Sequence, residues 1–300
     1  VTTPAGPAST DQRASAAAAP AVFDSARAWN HLRQMVAIGP RESGSAGIRQ
    51  TRAYITKEIA GYGLTVEEQK WTASTPAGPI EMVNLIVRLP GRRTDRILIT
   101  GHYDTKRIKE FVFVGASDGA SSGAMLIELA RVMKDQPREF TYEFVWLDGE
   151  EAVCAGWYDC EKPGAPDNTY GSRHYVATAQ KDGTLKTMKA MVLLDMVGDR
   201  DLRIRREAKS TAWLTDIVWA AAKRLKHDGT FVAESAGEIE DDHVPFLKAG
   251  VPSVDIIDLD YSCCWHQAAD NLANVSARSL QIVGDVVLAA LPDIEKRLLK

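Results

Sequence analysis

The stretch Tyr142–Glu151, YEFVWLDGEE, decides how this chain is read. Its first six residues form a short apolar run, interrupted only by Glu143, of the kind a buried strand requires. Asp148, Glu150 and Glu151 follow at once, so a buried strand delivers carboxylates at its end. Three more short apolar runs recur at wide spacing, at Ile97–Thr100, Ala190–Leu194 and Val251–Ile257. Between them lie helical patterns. One is Met125, Leu126, Leu129, Val132 and Met133; another is Trp213, Leu214, Ile217, Val218, Ala221 and Leu225. Buried strands separated by helices predict a single three-layer α/β/α domain around a central mixed, mostly parallel sheet.

Outward from this centre, Ala26–Ile38 and Ala46–Tyr62 read as amphipathic helices, the second ended by Gly61 and Gly63. Leu64–Thr72 and Ile80–Leu89 read as strands before a turn at Pro90-Gly91, and a helix at Ala277–Leu291 closes the chain. With no internal repeat or second linker, one catalytic domain over 22–300 is expected. Residues 1–21, rich in Ala, Ser, Thr and Pro without apolar periodicity, read as a disordered leader. They carry no initiator Met and no apolar signal core. A mature N-terminus left by signal-peptide removal is one explanation and a trimmed chain another. The first makes a secreted or periplasmic protein the expectation.

Composition narrows the function. Of 300 residues, 45% are hydrophobic and 25% charged, which excludes a chain disordered throughout. No apolar stretch approaches the roughly 18 residues of a membrane span. The 36 basic against 40 acidic residues, a formal charge of −4, include no basic stripe for nucleic acid. A small molecule or peptide is the expected ligand. Four cysteines, Cys154, Cys160, Cys263 and Cys264, are too few for a disulfide scaffold and form no paired zinc knuckle. They read either as incidental thiols or, for Cys154 and Cys160, as a bridge suited to an oxidising compartment.

Polar residues gather just beyond the strands. His102 and Asp104 follow the first run, Asp148, Glu150 and Glu151 the second, Asp195 the third, and His266 a loop after the fourth; Asp118 sits in the glycine-bearing loop 115–123. Ligands of open α/β sheets bind outside the carboxyl ends of the strands. His102, Asp118, Glu151, Asp195 and His266 therefore converge on one rim. A mixed imidazole–carboxylate set suits catalytic zinc, where structural zinc more often uses cysteine. Taken singly, each has an ordinary structural explanation, such as a helix cap for an Asp; the joint placement points to metal. Of the adjacent pair, Glu151 can ligate while Glu150 faces substrate as general base or acid. His31 and His227 lie in helical patterns and read as polar faces. Gly119–Gly123, GASSG, also matches a serine-hydrolase nucleophile elbow through Ser121. However, the apolar run Phe111–Val114 ends too early to place Ser121 directly between strand and helix, and the glycines more readily bring Asp118 to a metal.

These residues resemble the M28 metallopeptidase superfamily and, within it, the glutaminyl cyclases. The matching blocks are GHYDTK at 101–106, FVGASDGASSGAM at 113–125, LDGEEA at 147–152 and YGSRH at 170–174. LLDMVG at 193–198, IEDDHVPFLKAGVP at 239–252 and WHQAADN at 265–271 complete them. The resemblance implies a zinc exopeptidase-like fold. In M28 aminopeptidases it implies two zincs, with Asp118 bridging, His102 and Asp195 completing one site, Glu151 and His266 the other, and Glu150 activating water. In glutaminyl cyclases it implies one zinc on Asp118, Glu151 and His266, with His102 and Asp195 beside it.

Three features favour the cyclase branch: Asp241 within Glu240–His243, which in cyclases hydrogen-bonds the catalytic Glu; Trp265 just before His266; and Trp157 followed by the Tyr170–His174 block. Gly101 stands where the animal enzymes carry a cysteine, so their disulfide cannot form here, and the loops around 154–169 and Cys263-Cys264 also differ. The implied activity is conversion of an N-terminal glutamine of a peptide or protein to pyroglutamate with release of ammonia. Glu150, Asp241 and Asp195 would be its catalytic carboxyls and Trp157 and Trp265 its pocket walls. The alternative is a di-zinc aminopeptidase. A monomer is expected.

Overall fold

The computed structural model describes residues 22–300; the leader read at 1–21 lies outside them. Four parallel strands form the centre of the sheet: β3 (Arg96–His102), β4 (Thr141–Leu147), β5 (Met188–Asp195) and β8 (Ser253–Ile257). An antiparallel hairpin, β1 (Glu67–Thr75) and β2 (Gly78–Leu89), extends the β4 side, giving the order β1-β2-β4-β3-β5-β8. The sheet is mixed and its functional half is parallel, as the sequence predicts.

Alternation along these strands builds the three layers. Ile97, Ile99, Phe144, Trp146, Val192 and Leu194 face one cluster. It is covered by α1 (Ser25–Ile38), α2 (Ala46–Gly61), α3 (Ala120–Met133), α5 (Ala212–Arg224) and α7 (Ala277–Leu298). Leu98, Val145, Leu147, Met191 and Leu193 face the other cluster, under α4 (Tyr170–Asp182) and α6 (His243–Lys248). A second, two-stranded sheet of β6 (Ile204–Glu207) and β7 (Phe231–Gly237) lies beside β8. Three helices, α1, α2 and α7, begin on side-chain caps. Asp24 accepts from the Ala26 amide at 2.9 Å, Ser45 from Ile48 at 3.1 Å and Ser276 from Ser279 at 3.2 Å.

Several sequence expectations change. The first strand runs over Glu67–Thr75 rather than Leu64–Thr72, because its pairing with β2 sets its limits. Phe111–Val114 is not a strand. The last helix continues past Pro292 to Leu298, since Leu291 and Ile294 are buried. His31 is no polar face: it is buried in α1, with Nδ1 2.7 Å from the Tyr54 hydroxyl. His227 lies beyond the end of α5. All four cysteines are bonded, Cys154 to Cys160 and Cys263 to its neighbour Cys264. No helix among the described residues is long and apolar enough to cross a membrane.

Candidate active site

The carboxyl ends of the four parallel strands converge on one rim, and each strand end is built to present its polar side chain. β3 ends on His102, and Asp104 follows it. The Asp104 carboxylate accepts the amides of Glu150 and Glu151, each at 3.3 Å, and so fixes the turn after β4 that carries both. Gly149 opens that turn at φ +74°. Asp118 sits at the end of a tight loop that closes on Gly119 at φ +85°, where a Cβ would come within 2.3 Å of the Asp104 carbonyl. Asp270 braces the same loop from the far side, accepting from the amides of Ser117 at 2.7 Å and Asp118 at 3.1 Å. Buried Arg41 donates to the carbonyls of Gly115 and Tyr103 at 2.9 and 3.2 Å. β5 ends on Asp195, and the loop after β8 delivers His266 in a left-handed conformation, φ +53°.

The expected residues meet. His266 Nε2 lies 3.1 Å from Glu151 Oε1 and 3.4 Å from Asp118 Oδ2. The other Asp118 oxygen, Oδ1, lies 3.3 Å from His102 Nε2, which is itself 3.0 Å from Asp195 Oδ1. Asp118 is thus shared by two groups of potential ligands, Asp118–Glu151–His266 and His102–Asp118–Asp195. Asp118 Oδ2 and Glu151 Oε2 are buried without a hydrogen-bond donor. Donor-less carboxylate oxygens facing an imidazole form a cradle whose charge and ligand types fit zinc. Burial alone would lower the His266 pKa, but Glu151 and Asp118 outweigh it and raise it to about 9, a measure of the negative field here.

Glu150 points into the same space, with Oε2 3.7 Å from His102 Nδ1. Burial, reinforced by Glu151, Asp241 and Asp195 against the opposing His102, pushes its carboxyl well above the usual range. Asp241 is raised by burial and by Asp195 and Asp242. The hydrogen bond implied between Asp241 and Glu150 is not seen. Asp241 accepts from the Asp242 amide instead, lies beside Asp255 of β8, and acts on Glu150 through charge. Trp157, Tyr158, Leu259 and Trp265 wall a cavity of about 230 Å³ with Asp118, Glu150, Glu151 and His266 at its base. Trp265, 46% exposed, stacks on His266 at 4.6 Å between ring centres, and Phe113 meets the same imidazole edge-on at 5.9 Å.

Ser121 is excluded as a nucleophile. It is fully buried in the first turn of α3, donating to the Ser117 carbonyl and accepting from the Val197 amide at 3.1 Å. Gly101 is packed so tightly that a Cβ would lie 2.6 Å from that of Ser122, which explains why no side chain stands there. Sequence reasoning missed the braces. Asp270 falls in the WHQAADN block and Phe113 opens the FVGASDGASSGAM block, so both could have been noticed; Arg41 carries no signal beyond its residue type.

Residues 84–291 match peptidase family M28. A solved glutaminyl cyclase from an Acidobacteriales bacterium superposes with a TM-score of 0.85 at 41% identity, covering 95% of this chain and 99% of the other. The glutaminyl-peptide cyclotransferase-like protein of Mus musculus is 30% identical over 282 residues, 84% of this chain and 71% of its own length. The chain belongs to the glutaminyl cyclases of peptidase family M28. This cyclase also resembles a leucine aminopeptidase precursor of Bacteroides thetaiotaomicron, with a TM-score of 0.82 at 25% identity over 91% of this chain and 98% of that one. The zinc exopeptidase-like fold therefore serves both chemistries, and the choice between them rests on the site.

Proposed function

We propose that the protein is a zinc-dependent glutaminyl-peptide cyclotransferase acting on the N-termini of peptides or proteins. The observation that carries this reading is the pairing of Glu150 with Asp241, the residue that favours the cyclase branch: both are buried carboxyls of raised proton affinity lining the same cavity as the Asp118–Glu151–His266 cradle. Both reactants belong to one substrate residue, so the site must hold glutamine folded back on itself. The walls of Trp157 and Trp265 suit that task and exclude water. The substrate α-amine attacks its own side-chain γ-carbonyl carbon, a new C–N bond forms, and the bond to the amide nitrogen breaks. Glu150 takes one proton from the attacking amine and returns it to the leaving nitrogen, which departs as ammonia. Asp241 and Asp195 bias that exchange by their charge, since carboxyls crowded together cannot all ionise cheaply. Asp118, Glu151 and His266 would hold zinc, and the chemistry the bound ion would supply is Lewis-acid polarisation of the substrate amide.

Zinc-loaded protein incubated with Gln- and Leu-initiated peptides tests this. The expected result is loss of ammonia from the Gln peptide with the Leu peptide intact; release of free leucine without pyroglutamate would overturn it. The sharing of Asp118 between two ligand groups favours a second reading, a di-zinc aminopeptidase, in which His102 and Asp195 hold another ion. Metal analysis separates them: one zinc per chain for the cyclase, two for the aminopeptidase. The two disulfides suit an exported, oxidising setting. All site residues come from this one chain, which suits a single catalytic domain over 22–300 working as a monomer.

A further inference from the structure

Behind the pocket lies a chain of buried polar groups to which the reaction gives no role. It starts at Glu207, the last residue of β6. Its Oε1 accepts the amides of Lys209 at 2.8 Å and Ile239 at 3.0 Å, and its Oε2 the Ser210 amide at 2.6 Å and hydroxyl at 2.8 Å. The bond to Ile239 matters because Glu238–Asp241 is a pocket wall. Oε2 also lies 3.2 Å from Nε2 of His243, the first residue of α6, which is fully buried. The other imidazole nitrogen, Nδ1, is 3.6 Å from Asp255 Oδ2. The Asp255 carboxyl finds no hydrogen-bond donor, and its own amide donates to the Ser210 hydroxyl at 3.0 Å. One side-chain atom each of Asp241, His243 and Asp255 lies within 4.8 Å of the others. Burying this much polarity is costly unless its members fix one another.

We infer that His243, anchored by Glu207 and set beside both the Asp241 and Asp255 carboxyls, is a positioning residue that holds the Asp241 carboxyl beside Glu150. The inference rests on the cyclase reading above. Neither residue faces the cavity, so both act on the reaction only through Asp241 and the wall that carries it. Glu207 is built to stay ionised: burial opposes this, but His243 and the amide donors outweigh it and bring its pKa to about 2. It gives the assembly a fixed anionic end.

A double-mutant cycle on kcat tests the inference, using the full-length zinc-loaded protein and a Gln-initiated peptide. His243→Gln should lower kcat about ten- to a hundredfold, the usual loss when a group supporting a catalytic residue is removed. KM and bound zinc should stay close to wild type, because the pocket base is untouched. Combined with Asp241→Asn, it should slow the enzyme no further than Asp241→Asn alone, since one effect passes through the other. Near-normal kcat in His243→Gln, or losses that multiply in the double variant, would overturn the inference. Should His243→Gln not fold, Glu207→Gln replaces it in the same cycle with the same expectation, because it turns an acceptor towards the Ser210 amide and His243 into a donor. Wild-type protein that releases no ammonia from Gln peptides sinks the cyclase reading and this inference together; an active wild type with uncoupled variants sinks this inference alone.

Discussion

Replacing Gly119 by Ala should damage fold and metal site together. Gly119 holds φ +85°, a conformation costing a residue with a Cβ about 1–3 kcal/mol. The added Cβ would sit 2.3 Å from the Asp104 carbonyl oxygen and 3.2 Å from His102 Cε1. Neither neighbour can yield freely, because His102 is paired in β3 and Asp104 grips the Glu150 and Glu151 amides. Overpacking of that kind adds about 1–3 kcal/mol, for a total of about 2–6 kcal/mol. Any relief comes from moving the loop, which displaces Asp118, the preceding residue. Urea unfolding combined with a zinc competition titration reads both effects. Gly39→Ala is the control: its φ is +93° but nothing lies within 4 Å of its Cβ, so it carries the backbone strain alone and keeps its zinc affinity. If Gly119→Ala unfolded within about 0.5 kcal/mol of wild type and bound zinc normally, the account of this loop would be wrong.

Glu150→Gln should keep bound zinc while kcat falls by about 10²–10⁴, the usual contribution of a positioned acid–base group; turnover and metal content on one preparation check this. His266→Ala should lose its zinc in the same metal analysis. Ser121→Ala should leave turnover essentially unchanged, whereas abolished activity would reopen the serine-hydrolase reading. His31 gives a pH prediction. Burial, helped by Arg27 and Arg131, lowers its pKa to about 4 against 6.5 unfolded. Below pH 6.5 the unfolded chain takes up a proton that the folded one refuses, so stability is full above 6.5 and falls towards pH 4 by about 3 kcal/mol. His31→Phe should flatten that part of a stability–pH curve measured by urea unfolding.

The centre of the fold was legible because burial writes itself into composition. β3, β4, β5 and β8 are covered on both faces and read as short apolar runs, and the parallel arrangement then forces the residues after each strand onto one rim. Asp118, Glu151, His266, His102 and Asp195 were found in that way. The antiparallel hairpin was blurrier, because β1 is half exposed and its ends are set by pairing with β2 rather than by its own residues. Pro292 misled because a local rule for ending helices was overridden by burial of Leu291 and Ile294. His31 misled because a helical position does not say which face is covered. β6 and β7 stayed hidden: IRRE is short and mostly charged, and FVAESAG is largely exposed, with no apolar run. The Glu207–His243–Asp255 assembly stayed hidden with them: its members lie far apart in the chain, and nothing in the sequence marks a buried Glu as different from a solvated one.

Anomalous diffraction at the zinc edge, from crystals of the zinc-loaded protein, tests the central claim most directly. The account predicts a peak about 2.0–2.2 Å from Asp118, Glu151 and His266, with the Glu150 carboxyl beside it and outside its coordination shell. A zinc peak elsewhere, or no peak within coordinating reach of those three side chains, would contradict it.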